Sequence, residues 1–281
     1  MILFTIVPVL LISYYALTDS SGALTLDNFK NFWDSNYSVN QLYKQMGPEY
    51  EVLITRGTVN IGILVYSLWM ALLCTLICLF FGYPAAYFMA DRNIKYGAII
   101  VVLFVIPMWM NFLLRTIAWM SLLEDSGLIN TLFKAFGLPH VQLMYNNTAV
   151  LLGMVYNFLP FMVFPIYTAL TKMDFRLLEA AQDLGASPIR TFWRVTVPLS
   201  IPGVVSGITM VFMPSVTTFF IPRILGGGNT MMFGDLIENR FLYQGNWNLG
   251  SALSLVMMVL ILFSLGILRR ADPEGEGSGI V

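Results

Sequence analysis

The stretch EAAQDLGASPIRTFWRVTVP, residues 179–198, decides how the rest of the chain is read. It places Glu179, Asp183, Arg190 and Arg194 between two long apolar runs, in a chain that is otherwise poor in charge. Upstream, Asp174 is placed to accept backbone N–H bonds at a helix start. Good helix formers run from Phe175 to Leu184, and Gly185 supplies the left-handed residue that ends a helix. Leu177, Ala181 and Leu184 recur at helical spacing and share one face. Ser187-Pro188 is a cap followed by proline at the first helical position, so a second short helix starts there and joins the next apolar run at Pro198. The spacing therefore predicts a helix–turn–helix elbow, too short to be stable alone. Small Ala180 and Ala181 admit a close surface, and Glu179 offers a charge to a basic partner residue. Two readings fit these residues: docking into a groove on another protein, or lying flat on lipid headgroups.

Composition sets the solvent. Of 281 residues, 57% are hydrophobic and 11% charged, and the mean hydropathy is +0.73. Soluble domains carry about 25% charged residues, so most of this surface must face lipid. A net charge of -1 provides no basic field for nucleic acid. Cys74 and Cys78 lie within an apolar run with no His or carboxylate nearby, and are read as packing. The sole histidine, His140, sits in an expected external loop; no H-E-x-x-H, Ser/His/Asp constellation or G-x-x-x-x-G-K-[ST] stretch is present. An enzyme is thus disfavoured, and so is an ion-coupled transporter, which would need acids in mid-span.

A helix needs about 20 apolar residues to cross a bilayer. The uncharged runs are 1–18, 57–90, 97–114 continuing past Arg115, 141–171, 196–222 and 249–268. The expectation is an all-α integral membrane protein with about six transmembrane helices within residues 1–270. It has an external segment 19–56, a coupling loop 172–196 and a disordered tail 271–281. The run from Met1 has no cationic leader region and is read as a membrane helix, not a signal peptide. The run 57–90 is expected to end near Phe81–Pro84, where Gly and Pro interrupt it. Lys and Arg are densest in 91–95, 172–194 and from Arg269 onward, which predicts that the elbow and both termini face the cytoplasm.

The elbow also carries a spacing: E-A-A, three residues, G, nine residues, a β-branched residue, one residue, an aliphatic residue, P. Glu179, Ala180, Ala181, Gly185, Val195, Val197 and Pro198 meet it. This resembles the EAA loop of permease subunits of binding-protein-dependent ABC importers. FGYPAAYFMA (81–90), IPMWMNFLLRTIAW (106–119), LPFMVFPIYTAL (159–170) and the stretch 179–207 together resemble the spermidine/putrescine branch of that family. The resemblance implies an inner-membrane permease that forms half of a polyamine path. It implies a coupling helix in which Glu179, Ala180, Ala181, Leu184 and Gly185 meet a cytoplasmic ABC ATPase dimer. ATP and Mg would be held by that ATPase, with no cofactor in this chain. A second homologous permease and an extracytoplasmic polyamine-binding protein would complete the assembly. The same machine for sulfate, iron or a phosphonate is the alternative.

For the path, aromatic faces attract ammonium groups, which nominates Trp109, Asn111, Trp119, Tyr156, Asn157 and Tyr167; aromatic belts and plain packing compete with that reading. Asp235 and Glu238, three apart before the last run, are the preferred acidic pair. Arg115 is the one charge inside an expected span; it repels a polycation and is read as a brace or a snorkelling side chain. Pro160, Pro165, Pro202 and Pro214 bend the fourth and fifth runs, and GVVSG (203–207) has the small-residue spacing of a close helix contact.

Overall fold

The structure, a computed structural model, describes residues 2–33, 59–91, 97–228 and 230–271. The tail beyond Ala271, residues 34–56 of the external segment, and Arg92 and Lys95 lie outside the described residues. Among the described residues, four helices are long and apolar enough to span a membrane: Asn60–Ala90, Asn147–Lys172, Pro188–Thr217 and Trp247–Ile267. A bent pair, Ile99–Trp109 with Phe112–Ala135, makes a fifth, and a shorter apolar helix precedes them. In chain order the elements are α1 (Ile2–Ala16), α2 (Asp27–Trp33), α3 (Val59–Ala90), α4 (Gly97–Val105), α5 (Phe112–Leu123), α6 (Leu128–Ala135), α7 (Asn147–Lys172), α8 (Arg176–Asp183), α9 (Pro188–Thr191), α10 (Val197–Thr217), α11 (Phe220–Leu225), α12 (Phe233–Glu238) and α13 (Trp247–Ala271). Among the described residues the β structure is a single isolated bridge, Thr18 to Leu24.

The centre is a bundle of α3, α7 and α10, each packed on the other two. Lipid tails are as apolar as Leu, so helices in a bilayer are held by close packing, and small residues permit it. Here Met162 of α7 is fully buried between two glycines. A Cβ on Gly82 of α3 would meet its Cγ at 3.0 Å, and one on Gly207 of α10 would meet its Sδ at 2.8 Å. One turn away, a Cβ on Gly203 would lie 2.5 Å from the Ala169 Cβ and 2.8 Å from the Pro165 carbonyl oxygen. The GVVSG spacing is thus the α10 face that lies on α7. Cys74 and Cys78 are buried in the same core, close to Ser215 and the Val155 carbonyl, as packing residues.

Two expected boundaries move. The α3 helix does not end at 81–84: it continues through Pro84 to Ala90. Proline in a membrane helix is tolerated more readily than in water, because apolar surroundings give the rest of the helix backbone no other hydrogen-bond partner. Gly82 marks a contact, not a terminus. Conversely, the third run is not one rod. Pro107 lies in a tight turn over Ile106–Trp109, and Met110 is extended. The Asn111 side chain then accepts the Leu113 N–H at 2.8 Å to start α5. The two pieces meet at 95°.

At the end of the molecule opposite the elbow, the segment between α10 and α13 is wedged into the fold as short helices. Ile221 and Leu225 are fully buried, and the Leu225 and Ile221 side chains fill the space that a Cβ on Gly153 of α7 would need. Phe233 N–H donates to Ser67 Oγ of α3 at 2.7 Å, and Thr230 Oγ1 bonds Asn147 Oδ1 at 3.0 Å. On the flank, α1 packs along α13, with Asn248 donating to the Thr18 and Tyr15 carbonyls.

Candidate functional site

The elbow forms as its residues dictate. Asp174 Oδ1 accepts the Arg176 N–H at 3.0 Å and opens α8. Gly185, at φ +84°, closes it, with Ala186 N–H bonded back to the Ala181 carbonyl. Ser187 Oγ accepts the Arg190 N–H and Pro188 opens α9. A wider π-type turn over Phe192–Thr196 then carries the chain into α10 without interruption.

No residue of α8 is buried. Glu179, Ala180, Leu184 and Gly185 are exposed and Ala181 is half-buried. Leu184 is 90% exposed, with Ile189 at 74% and Leu177 at 49% beside it. Exposed large apolar side chains on a polar elbow are what both docking on a partner and contact with lipid headgroups would use.

A joint that sequence spacing did not reveal ties the elbow to a second helix. Tyr83 and Tyr87, one turn apart on α3, grip the Phe192 ring edge-on at centroid distances of 5.9 and 5.2 Å. Tyr83 also shares a 2.9 Å hydrogen bond with Ser200 of α10. These partners lie more than a hundred residues apart, so no local signal links them; their only trace is a helical pair of tyrosines in 81–90.

The path candidates fall into separate groups. Trp119 of α5 and Tyr156 of α7 meet edge-on at 5.1 Å. Arg115 is 7% exposed, and its Nε and one terminal nitrogen make no hydrogen bond. It projects from α5, which packs against α7. Trp109 is 88% exposed at the 95° corner, and Asn111 spends its carbonyl oxygen on the α5 cap. Tyr167 is half-buried near the elbow end of α7. Asn157 is 1% exposed and donates to the Gly153 carbonyl at 2.8 Å, so this chain's own packing encloses it.

Asp235 and Glu238 do share a face of α12, and they are not alone. The Arg223 guanidinium lies 3.1 Å from Glu238 Oε1, donates to the Tyr243 hydroxyl, and sits 5.0 Å from the centre of that ring. Burial, then the Glu238 charge, pushes the Asp235 carboxyl up to about 6, with Arg223 opposing the rise. Tyr243 and Arg223 escaped the sequence reading because the contact closes over a glycine-rich turn, fifteen to twenty residues across.

Against known proteins, residues 82–274 match the sequence profile of the binding-protein-dependent transport system inner membrane component. The chain is 33% identical to the spermidine/putrescine transport system permease protein PotB of Haemophilus influenzae, over 97% of this chain and 90% of that one. It is also 33% identical to PotB of Escherichia coli, over 97% and 94%. The inner membrane ABC transporter permease protein YdcU of Escherichia coli is 27% identical over 85% and 81%. Among solved structures, a bacterial alginate ABC transporter in complex with its alginate pentasaccharide-bound periplasmic protein superposes with a TM-score of 0.62 at 15% identity, covering 96% of this chain and 94% of that one. At that identity the likeness speaks for the fold alone. By profile and by full-length relatives, the chain belongs to the binding-protein-dependent transport system inner membrane component family.

Proposed function

We propose that the chain is one permease half of an ATP-driven polyamine importer, and that the elbow α8–α9 is the handle by which a cytoplasmic ABC ATPase dimer drives it. The observation that carries the coupling role is the exposure of Leu177, Leu184 and Ile189 on the elbow, with Glu179 exposed on another face of α8. An isolated chain gains nothing from exposing them; a groove on a partner gains their burial. ATP and Mg would reside in that ATPase. The polyamine assignment rests on relatives named for spermidine/putrescine transport that match along nearly the whole chain. The acids Asp235 and Glu238 and, as a separate group, the Trp119–Tyr156 pair are side chains of the kinds that attract a flexible polycation. A second permease would supply the other wall, and an extracytoplasmic binding protein would deliver the solute. In this arrangement the elbow and both termini lie in the cytoplasm.

Replacing Glu179 with Lys sets a cation against a basic partner surface. Uptake should fall about tenfold or more, the equivalent of losing about 1.4 kcal/mol of docking, with the permease still in the membrane. Unchanged uptake would count against the elbow as the coupling contact. Substrate is tested by competing labelled spermidine uptake with putrescine, sulfate and ferric ion: putrescine should compete and the others should not.

A further inference from the structure

The Arg223 cluster contains a cation already in place. Its guanidinium pairs with one oxygen of Glu238 at 3.1 Å, bonds the Tyr243 hydroxyl, and lies near the face of that ring. A carboxylate, a phenol oxygen and an aromatic face are the groups an alkylammonium also seeks. The fit of the arginine is incomplete. Glu238 Oε2 is shut off from solvent and makes no hydrogen bond. An ammonium, compact and carrying three rotatable donors, can reach geometries that a planar fork cannot.

The arginine is also easy to release. Its side chain keeps 43% of its surface in contact with solvent, so it leaves for water at little cost. It projects from α11, which runs directly into Gly227 and Gly228 at φ +59° and +86°. Those two glycines hold a turn that other residues resist, and a Cβ on Gly227 would strike the Tyr145 ring at 2.1 Å. The two acids need a cation there. Asp235 is half-buried and lies three residues before Glu238 on one face of α12, and two such carboxylates repel when nothing positive lies near them.

We propose, on the polyamine reading above, that Asp235, Glu238 and Tyr243 form an ammonium subsite whose resident cation in the substrate-free protein is Arg223, and that an incoming polyamine ammonium displaces it. Arg223 is then a tethered competitor: it keeps the acids compensated while the path is empty and sets a floor on the solute concentration that opens the site.

The test uses the complete assembly, with its ATPase, both permeases and binding protein, in proteoliposomes. Arg223→Gln should lower the KM for spermidine about threefold to tenfold, and Glu238→Gln should raise it by a similar factor. Arg223→Lys, which keeps the charge, should lie between wild type and Arg223→Gln. In the unaltered protein, saturating spermidine should speed modification of Arg223 by phenylglyoxal, read by peptide mass spectrometry, because the displaced guanidinium stands free. A KM for Arg223→Gln that rises or stays put, or labelling of Arg223 that spermidine slows or leaves alone, overturns the proposal. The labelling arm decides the matter even if Arg223→Gln fails to assemble. Should the unaltered assembly carry no polyamine at all, the solute assignment has failed instead.

Discussion

Asp235 shows how one side chain carries a pH dependence. Its carboxyl titrates at about 6 against an ordinary 3.8, raised first by burial and then by Glu238, with Arg223 the cation facing it. The folded state therefore holds this proton more tightly than the unfolded chain does. That contribution to stability is full below the ordinary value and disappears as pH rises through about 6. The thermal midpoint of the purified assembly should accordingly drop between about pH 5 and about pH 8, and Asp235→Asn should drop less over the same interval. Function runs the other way. Only the ionised carboxylate attracts an ammonium, so spermidine KM should rise on acidification below about pH 6 in the unaltered protein and stay flatter in Asp235→Asn. At this scale the sequence revealed the two acids, their shared face and the caps at Asp174, Ser187 and Gly185, because each depends on neighbours within a turn or two. It did not reveal Arg223 or Tyr243 as their partners, since that contact belongs to the tertiary fold.

Between helices, the deciding contacts are small and specific. Gly203 and Gly207 let α10 lie on the backbone of α7, with no room for a Cβ at Gly203. Gly203→Val should lower the thermal midpoint in detergent, with a destabilisation of about 1–3 kcal/mol from overpacking. The elbow's second attachment is the Phe192 ring between Tyr83 and Tyr87. Phe192→Ala leaves the exposed side chains of α8 intact and loosens only the elbow's grip on α3. Transport per ATP hydrolysed should fall severalfold while co-purification of the ATPase persists; equal losses of both would place Phe192 in docking instead. Elements were legible where lipid solvation dominates: four of the six apolar runs hold a helix of spanning length, the third holds the bent pair, and the first holds a shorter apolar helix. The rule that Gly-x-Pro ends a helix, drawn from water, failed at 82–84, where Gly82 packs on Met162 of α7 and the helix runs on through an exposed Pro84. The corner at Met110–Asn111 is announced by Pro107 and by a capping Asn, both within IPMWMN, yet hydrophobicity alone runs straight through it.

For the molecule as a whole, the chain's traverses put α8–α9 at one end of the α3–α7–α10 core and the Asp235–Glu238 cluster at the other. Single cysteines placed at Leu184 and at Phe136, both exposed, in a background with Cys74 and Cys78 replaced, provide a direct reading of sidedness. A membrane-impermeant maleimide added outside the cytoplasmic membrane should label Phe136→Cys and spare Leu184→Cys until the membrane is opened. The reverse pattern would turn the assembly upside down and remove the ATPase from the elbow.

The clasp between Phe192 and the α3 tyrosines has a consequence for movement. A push on the elbow reaches α10 through the chain and α3 through the clasp, while the glycine seams fasten α7 to both. The three rods must travel together as a slab. Whatever flexing a transport cycle demands then falls on the corners outside that slab, at Met110 and in the turn at 226–228, so under the coupling role proposed above stiffening either corner should stall uptake and leave co-purification of an ATPase intact.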